Sequence, residues 1–89
     1  MKAKNNYRHR PDGTTTVFPL DGPPVDIDTS DFRLIAAHRW RWITLPNGES
    51  VASAIALIDG ARVLISMESL LALGRQDRIR PYDDVVISA

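Results

Sequence analysis

Two histidines, eleven carboxylates, nine arginines, two lysines and two tryptophans are the side chains of this 89-residue chain that could do chemistry or recognise a charged ligand. There is no cysteine, so thiolate nucleophiles, zinc ribbons, disulfide scaffolds and redox pairs are all excluded. A metal-activated water or a general base would need His9 or His38 beside carboxylates. His9 lies in a basic leader, and His38 falls where a first helix should end, a place for a C-cap or a dipole partner. Asp83 and Asp84 are adjacent, so on a strand they point to opposite faces and cannot share an ion. Asp26 and Asp28 do share a face, but just before a helix start they read as caps. Gly-rich phosphate loops and Ser/His/Asp arrangements are missing. The chain is therefore expected to be a non-enzyme with no catalytic residue, no metal and no cofactor.

The arginines are more informative. Arg33, Arg39 and Arg41 fall around the first helix and the strand after it, Arg75, Arg78 and Arg80 in a late polar stretch, and Lys2, Lys4, Arg8 and Arg10 in the first thirteen residues. Such groups grip phosphates and base edges, or pair with carboxylates on a protein. In Arg39-Trp-Arg-Trp42 strict alternation sends the guanidinium groups to one face of a strand and the indoles to the other. The indoles read as the packing floor under the helices. Trp42, if exposed at the end of its strand, is an interface candidate together with Asp83 and Asp84.

These residues need elements to position them. Eleven Lys and Arg balance eleven Asp and Glu, yet residues 1 to 13 carry a net charge of +3 and the rest −3. That division predicts a basic flexible arm over 1–13, ending at Pro11-Asp-Gly13, on a single α+β domain over 14–89. Thr14 to Leu20 and Val25 to Asp28 read as short flanking edge strands, with Pro19 ending the first. Phe32, Ile35 and Ala36 recur at helical spacing within a helix at about 29–38. Asn47-Gly48 and Asp59-Gly60 are hairpin turns that divide runs at about 39–45, 50–58 and 61–66 into a three-stranded antiparallel meander. In its middle run Ala52, Ala54 and Ala56 share one face, and Val51, Ile55 and Leu57 the other. Ser66 caps a second short helix with the stripe Met67, Leu70, Leu71 and a stop at Gly74. That stripe is core, or closes a homodimer. Residues 75–82 read as a loop and 83–89 as an edge strand. The longest apolar run, Ala54 to Ile58, is too short to cross a membrane, and the basic leader has no apolar region behind it, so a cytoplasmic protein is expected.

Pro19-Leu20 leading into Val25-Asp-Ile-Asp28, then Ser30-Asp-Phe32 with its helix, the Trp40 and Trp42 strand, Gly60, Arg62 to Ser66 and Met67-Glu-Ser-Leu-Leu71 form an ordered set. It resembles the small module that precedes the nuclease motif in phage HNH homing endonucleases, related to the ethylene-response-factor type of DNA-binding domain. The resemblance covers about residues 14 to 74. In that family an aspartate-histidine pair, an asparagine and a further catalytic residue follow the second helix, whereas residues 75–89 contain neither His nor Asn. Strands that face DNA in such modules are rich in Arg and Lys, whereas Ser50 to Ile58 has no cation. The resemblance thus implies a trimmed or repurposed copy.

Two functions are expected. One is a small phage or mobile-element inhibitor or adaptor that binds a host protein of a nucleic-acid-processing or CRISPR-type defence complex, the ten acids of the body standing in for phosphates. The other is a DNA-binding module that uses the arm and the arginine face of the sheet.

Overall fold

A computed structural model describes residues 3–82. Lys2, Asp83, Asp84 and the strand expected over 83–89 lie outside the described residues. The elements in order are β1 (Asn6–His9), β2 (Thr14–Phe18), β3 (Val25–Asp28), a 3₁₀ turn (Thr29–Asp31), α1 (Phe32–Ala36), β4 (Arg41–Thr44), β5 (Ser50–Ile58), β6 (Ala61–Ser66), α2 (Met67–Leu73) and β7 (Ile79–Pro81). The architecture is α+β, with two antiparallel sheets and two short helices.

The first sheet has the order β1-β2-β3. The leader expected as a flexible arm is, over Asn6–His9, a strand paired residue by residue with β2, from Asn6 opposite Phe18 to His9 opposite Thr15. Local chemistry closes the hairpin. Thr14 donates to Asp12 Oδ1 from its backbone N–H at 3.0 Å and from its hydroxyl at 2.6 Å, and Gly13 takes a φ of +91°. Alternation then places Tyr7 and His9 against Phe32 of α1, with ring centroids 4.6 and 4.9 Å away. On the other face Arg10 donates to Thr16 Oγ1 and reaches Asp26 at 3.9 Å.

Asp26 is no cap, because its carboxylate accepts the Thr16 hydroxyl at 2.6 Å. Asp28 has the extended backbone of an N-cap, but its side chain makes no capping bond. The first helix is shorter than its apolar spacing suggests. The Ile35 carbonyl is taken by His38 N–H at 3.2 Å and by the Trp40 indole N–H at 2.8 Å, which turns the chain into β4.

In the second sheet β5 is the central strand, with β6 along one side, and β4 (at Ser50 to Ser53) and β7 (at Ala56 to Ile58) in line on the other. Asp59 and Gly60 both take positive φ in the β5–β6 turn, as their tight hairpin requires. β7 falls in what reads as a polar loop. Pairing sets Ile79 and Pro81 opposite Ile58 and Ala56, and the Arg78–Asp59 contact at 2.9 Å pins the approach. Pro81 sits at a strand edge, where its missing N–H is tolerated.

The sheets join at Leu20, which donates to the Trp40 carbonyl at 3.0 Å and accepts from Trp42 N–H at 2.9 Å. Val17 and Ile27 from the first sheet share one core with Ile35, Trp40, Ile65, Met67, Leu70 and the three alanines of β5. Small side chains at 52, 54 and 56 admit α2 close to the strand. Ser66 Oγ caps it by accepting from Ser69 N–H at 3.0 Å, and Gly74 ends it at a φ of +70°.

Two outcomes follow from these contacts. The Asn5 side chain accepts from Trp40 N–H at 2.7 Å and donates to Trp40 O at 3.0 Å, so Asn5→Ala strands the backbone N–H of a fully buried residue, while its carbonyl keeps the Leu20 bond. Urea unfolding should register a loss of about 1–3 kcal/mol, against a negligible change for Asn6→Ala. The Asp12 carboxyl, held below the ordinary carboxylate range by the Thr14 hydroxyl first and then by the Thr14 N–H, should return toward that range in Thr14→Val when followed by NMR titration. Its folded pKa is depressed, so any stability it contributes is present above the unfolded pKa and lost as pH falls through the folded one.

Candidate docking surface

Side chains alternate along a strand, so the register that turns Ala52, Ala54, Ala56 and Ile65 inward sends Arg41, Ile43, Ser53, Ile55, Leu57, Arg62, Leu64 and Arg80 to the opposite face. The helices pack on the inward side. The result is an apolar surface open to solvent, with Leu64 56%, Ile55 46% and Leu20, at the junction of the sheets, 41% exposed. None of the described strand positions on this face is Asp or Glu.

The face is not flat. β4 leaves β5 after Ser53 and β7 joins at Ala56, so a stretch of β5 is uncovered on that side. A shallow cavity of about 380 Å³ opens there, lined by Leu20, Ile43, Ile55 and Leu64 together with Arg39, Arg41 and Tyr82. Arg62 lies 5.4 Å from the Tyr82 ring centre and donates to its hydroxyl at 3.2 Å. Arg41 meets Asp21 at 3.1 Å. Both contacts are exposed, and pairs of that kind hold a side chain with roughly 0–1 kcal/mol. The guanidinium groups can therefore turn to a bound partner. An apolar centre with a cationic rim has the anatomy of a protein interface.

The other residues expected to bind are dispersed. Arg8 is exposed on β1 and Arg10 is tied to Thr16 and Asp26 of the first sheet, while the Lys4 N–H, ahead of β1, donates to Ala36 O at the end of α1. Arg33 and Arg75 line a broader cleft of about 770 Å³ between α1 and residues 74–81, with Asp31 and Asp77 among them, and Arg80 on the edge strand β7 borders this cleft as well as the outer face. Arg78 is engaged at the Asp59 turn. Trp42 is half-buried on the inward face, its indole N–H donating to Pro23 O at 2.8 Å and its ring lying where a Cβ on Gly22 would sit. His9 meets Thr15 Oγ1 at 2.7 Å, and His38 is buried beside Trp40. Asp12, Asp21, Asp26 and Asp59 are each taken up by a neighbouring hydroxyl or guanidinium group.

The residues that build the face but were not singled out by sequence are Leu20, Ile43, Ile55, Arg62, Leu64 and Tyr82. A signal existed: Val51, Ile55 and Leu57 face away from the alanines, and two short helices cannot cover both sides of a sheet. No protein-family model matches the chain, and no curated protein or solved structure is significantly similar to it.

The two sides of β6 give a direct test of which face is core. Leu64→Ser should change the free energy of unfolding by no more than about 0.5 kcal/mol. Its neighbour Ile65→Ala, on the inward face, should remove about 2–4 kcal/mol in the same denaturant titration.

Proposed function

We propose that the chain is a non-catalytic binding protein whose outer sheet face docks a protein partner, in the manner of a small inhibitor or adaptor. One observation carries this reading: Leu20, Ile55 and Leu64 are exposed together around a cavity that Arg39 and Arg41 also line. Grouped apolar side chains exposed on a small domain mark an interaction site. Phosphate gives them nothing to bury against. The cations make the partner acidic where it meets the rim, which favours an acidic contact over the basic one that a phosphate-imitating body would need. A host protein of a nucleic-acid-processing or CRISPR-type defence complex remains the proposed setting, on the strength of the resemblance to the homing-endonuclease module.

DNA binding is the second reading, favoured by Arg39, Arg41, Arg62 and Arg80 lying on or beside one sheet face. In such a case removing these four cations should flatten the slope of log affinity against log salt by roughly three to four units.

The deciding experiment is affinity capture from host lysate with the wild-type chain and with Ile55→Glu, beside a titration of labelled duplex DNA at low salt. The expected outcome is one stoichiometric protein retained by the wild type and lost by a variant that still unfolds at the wild-type temperature. Equal retention by both chains, or recovery of DNA alone, would overturn the reading.

A further inference from the structure

The outer face ends at β6, whose second edge meets no described strand. Proteins usually guard such an edge with Pro, charged side chains (Lys above all), an inward-pointing charge or a bulge. Ala61–Ser66 has no Pro, Lys, inward charge or bulge: its pairing with β5 is regular over all six residues, and its one charge, Arg62, lies on the outer face. Ala61, Arg62, Val63 and Leu64 are all exposed, with Val63 and Leu64 projecting to opposite faces. An apolar edge whose single guard is Arg62 is a template for one more strand, provided that strand brings a partner for the guanidinium group.

Charge selects the occupant. A second copy of β6 paired across a two-fold axis would bring no carboxylate opposite Arg62, because the strand contains none. The surrounding face adds Arg41 and Arg80 to the same sign. The complement is an extended segment with an acid at that position. The chain's named strands pair antiparallel throughout, and a segment added to β6 in that sense runs from opposite Leu64 to opposite Arg62. Read in its own direction it presents an apolar residue to Leu64, a second apolar residue to Val63 on the other face, and a carboxylate to Arg62.

We propose that the β6 edge captures an extended segment of the partner protein as an additional antiparallel strand, recognised by the order apolar, apolar, acid. This rests on the docking reading above and names the partner's chemistry. Main-chain hydrogen bonds to β6 supply the attachment, and the side chains of Leu64, Val63 and Arg62 supply register and selectivity. The Arg62 guanidinium leaves the Tyr82 hydroxyl for the incoming carboxylate, a charge-assisted bond in place of a neutral one.

The probe is a fluorescent peptide of roughly nine residues with Val-Ile-Glu at its centre and Thr and Ser around it, titrated onto the full chain by anisotropy. The expected result is saturable binding, weakened about fivefold by Arg62→Glu and restored when the peptide carries Lys in place of its Glu. Two peptides N-methylated at alternate residues separate edge pairing from surface contact. The one blocked on the side facing β6 should lose at least about tenfold in affinity, and the other should bind like the parent. An absence of binding, or equal binding of both N-methylated peptides, would overturn the inference. If the peptide fails while Ile55→Glu still releases the captured protein, the edge falls and the docking face stands. If the peptide binds and Ile55→Glu releases nothing, the docking face falls and the edge stands.

Discussion

Trp40 is the residue through which the separate pieces of this small chain become one structure. Its side chain is fully buried, and its indole N–H is fixed by the Ile35 carbonyl at the end of α1. The Asn5 amide brackets its backbone, and Leu20, the last residue before the β2–β3 turn, shares its carbonyl. Leader, first sheet, helix and second sheet therefore meet at one peptide unit. A domain of this size has one modest core and little surplus stability. Concentrating the junction in a few directional bonds around a large apolar side chain is a means of fixing two sheets relative to each other without a larger core.

That junction also decides what is left uncovered. With Trp40 pointing inward at the start of β4, Arg41 must point outward, and the alternation passes across the register to Ser53, Ile55 and Leu64. Both helices are committed to the alanine side, where residues 52, 54 and 56 leave room for α2. Among the described residues, the opposite side of β5 has the Leu20 segment and Tyr82 beside it and no helix. The exposed apolar face is thus a consequence of topology. Its residues could still have been polar, and a sheet with one solvated face normally is polar there. Ile43, Ile55, Leu57 and Leu64 in those positions call for a functional explanation, since folding alone does not need them.

Much of the fold was legible because the signals were local. Asn47-Gly48 and Asp59-Gly60 mark their turns by the backbone conformations these residues accept, and the run between them coincides with β5. Ser66 and Gly74 bound α2 for equally local reasons. What was not legible depended on distant partners. Nothing in Asn6-Tyr-Arg-His9 reveals that Phe32 will receive its rings, so the segment and its polar and charged surroundings read as a flexible arm. β7 hides in a cationic stretch because only Ile79 and Pro81 in it are apolar, and its pairing depends on Ile58, Leu57 and Ala56 far back in the chain. The site suffered the same way: its arginines are obvious in the sequence, but which of them surround apolar residues is a property of register between strands.

Net charge illustrates how little a total says about recognition. The described acids sit largely at turns and edges, and several are consumed there, Asp21 by Arg41, Asp26 by Thr16 and Arg10, and Asp59 by Arg78. Pairs so exposed are screened beyond about 8 Å at physiological ionic strength. The balance of eleven against eleven therefore cancels at long range, while at contact distance the described strand positions of the outer face carry arginines among apolar side chains and no Asp or Glu. Long-range attraction of a polyanion such as DNA gains nothing from a neutral whole, because steering depends on the summed field. Short-range selection of a carboxylate beside an apolar residue gains from every arginine on the rim. In the proposed docking reading, the arrangement of charge rather than its sum is what separates a reader of a mixed apolar and acidic surface from a general phosphate binder.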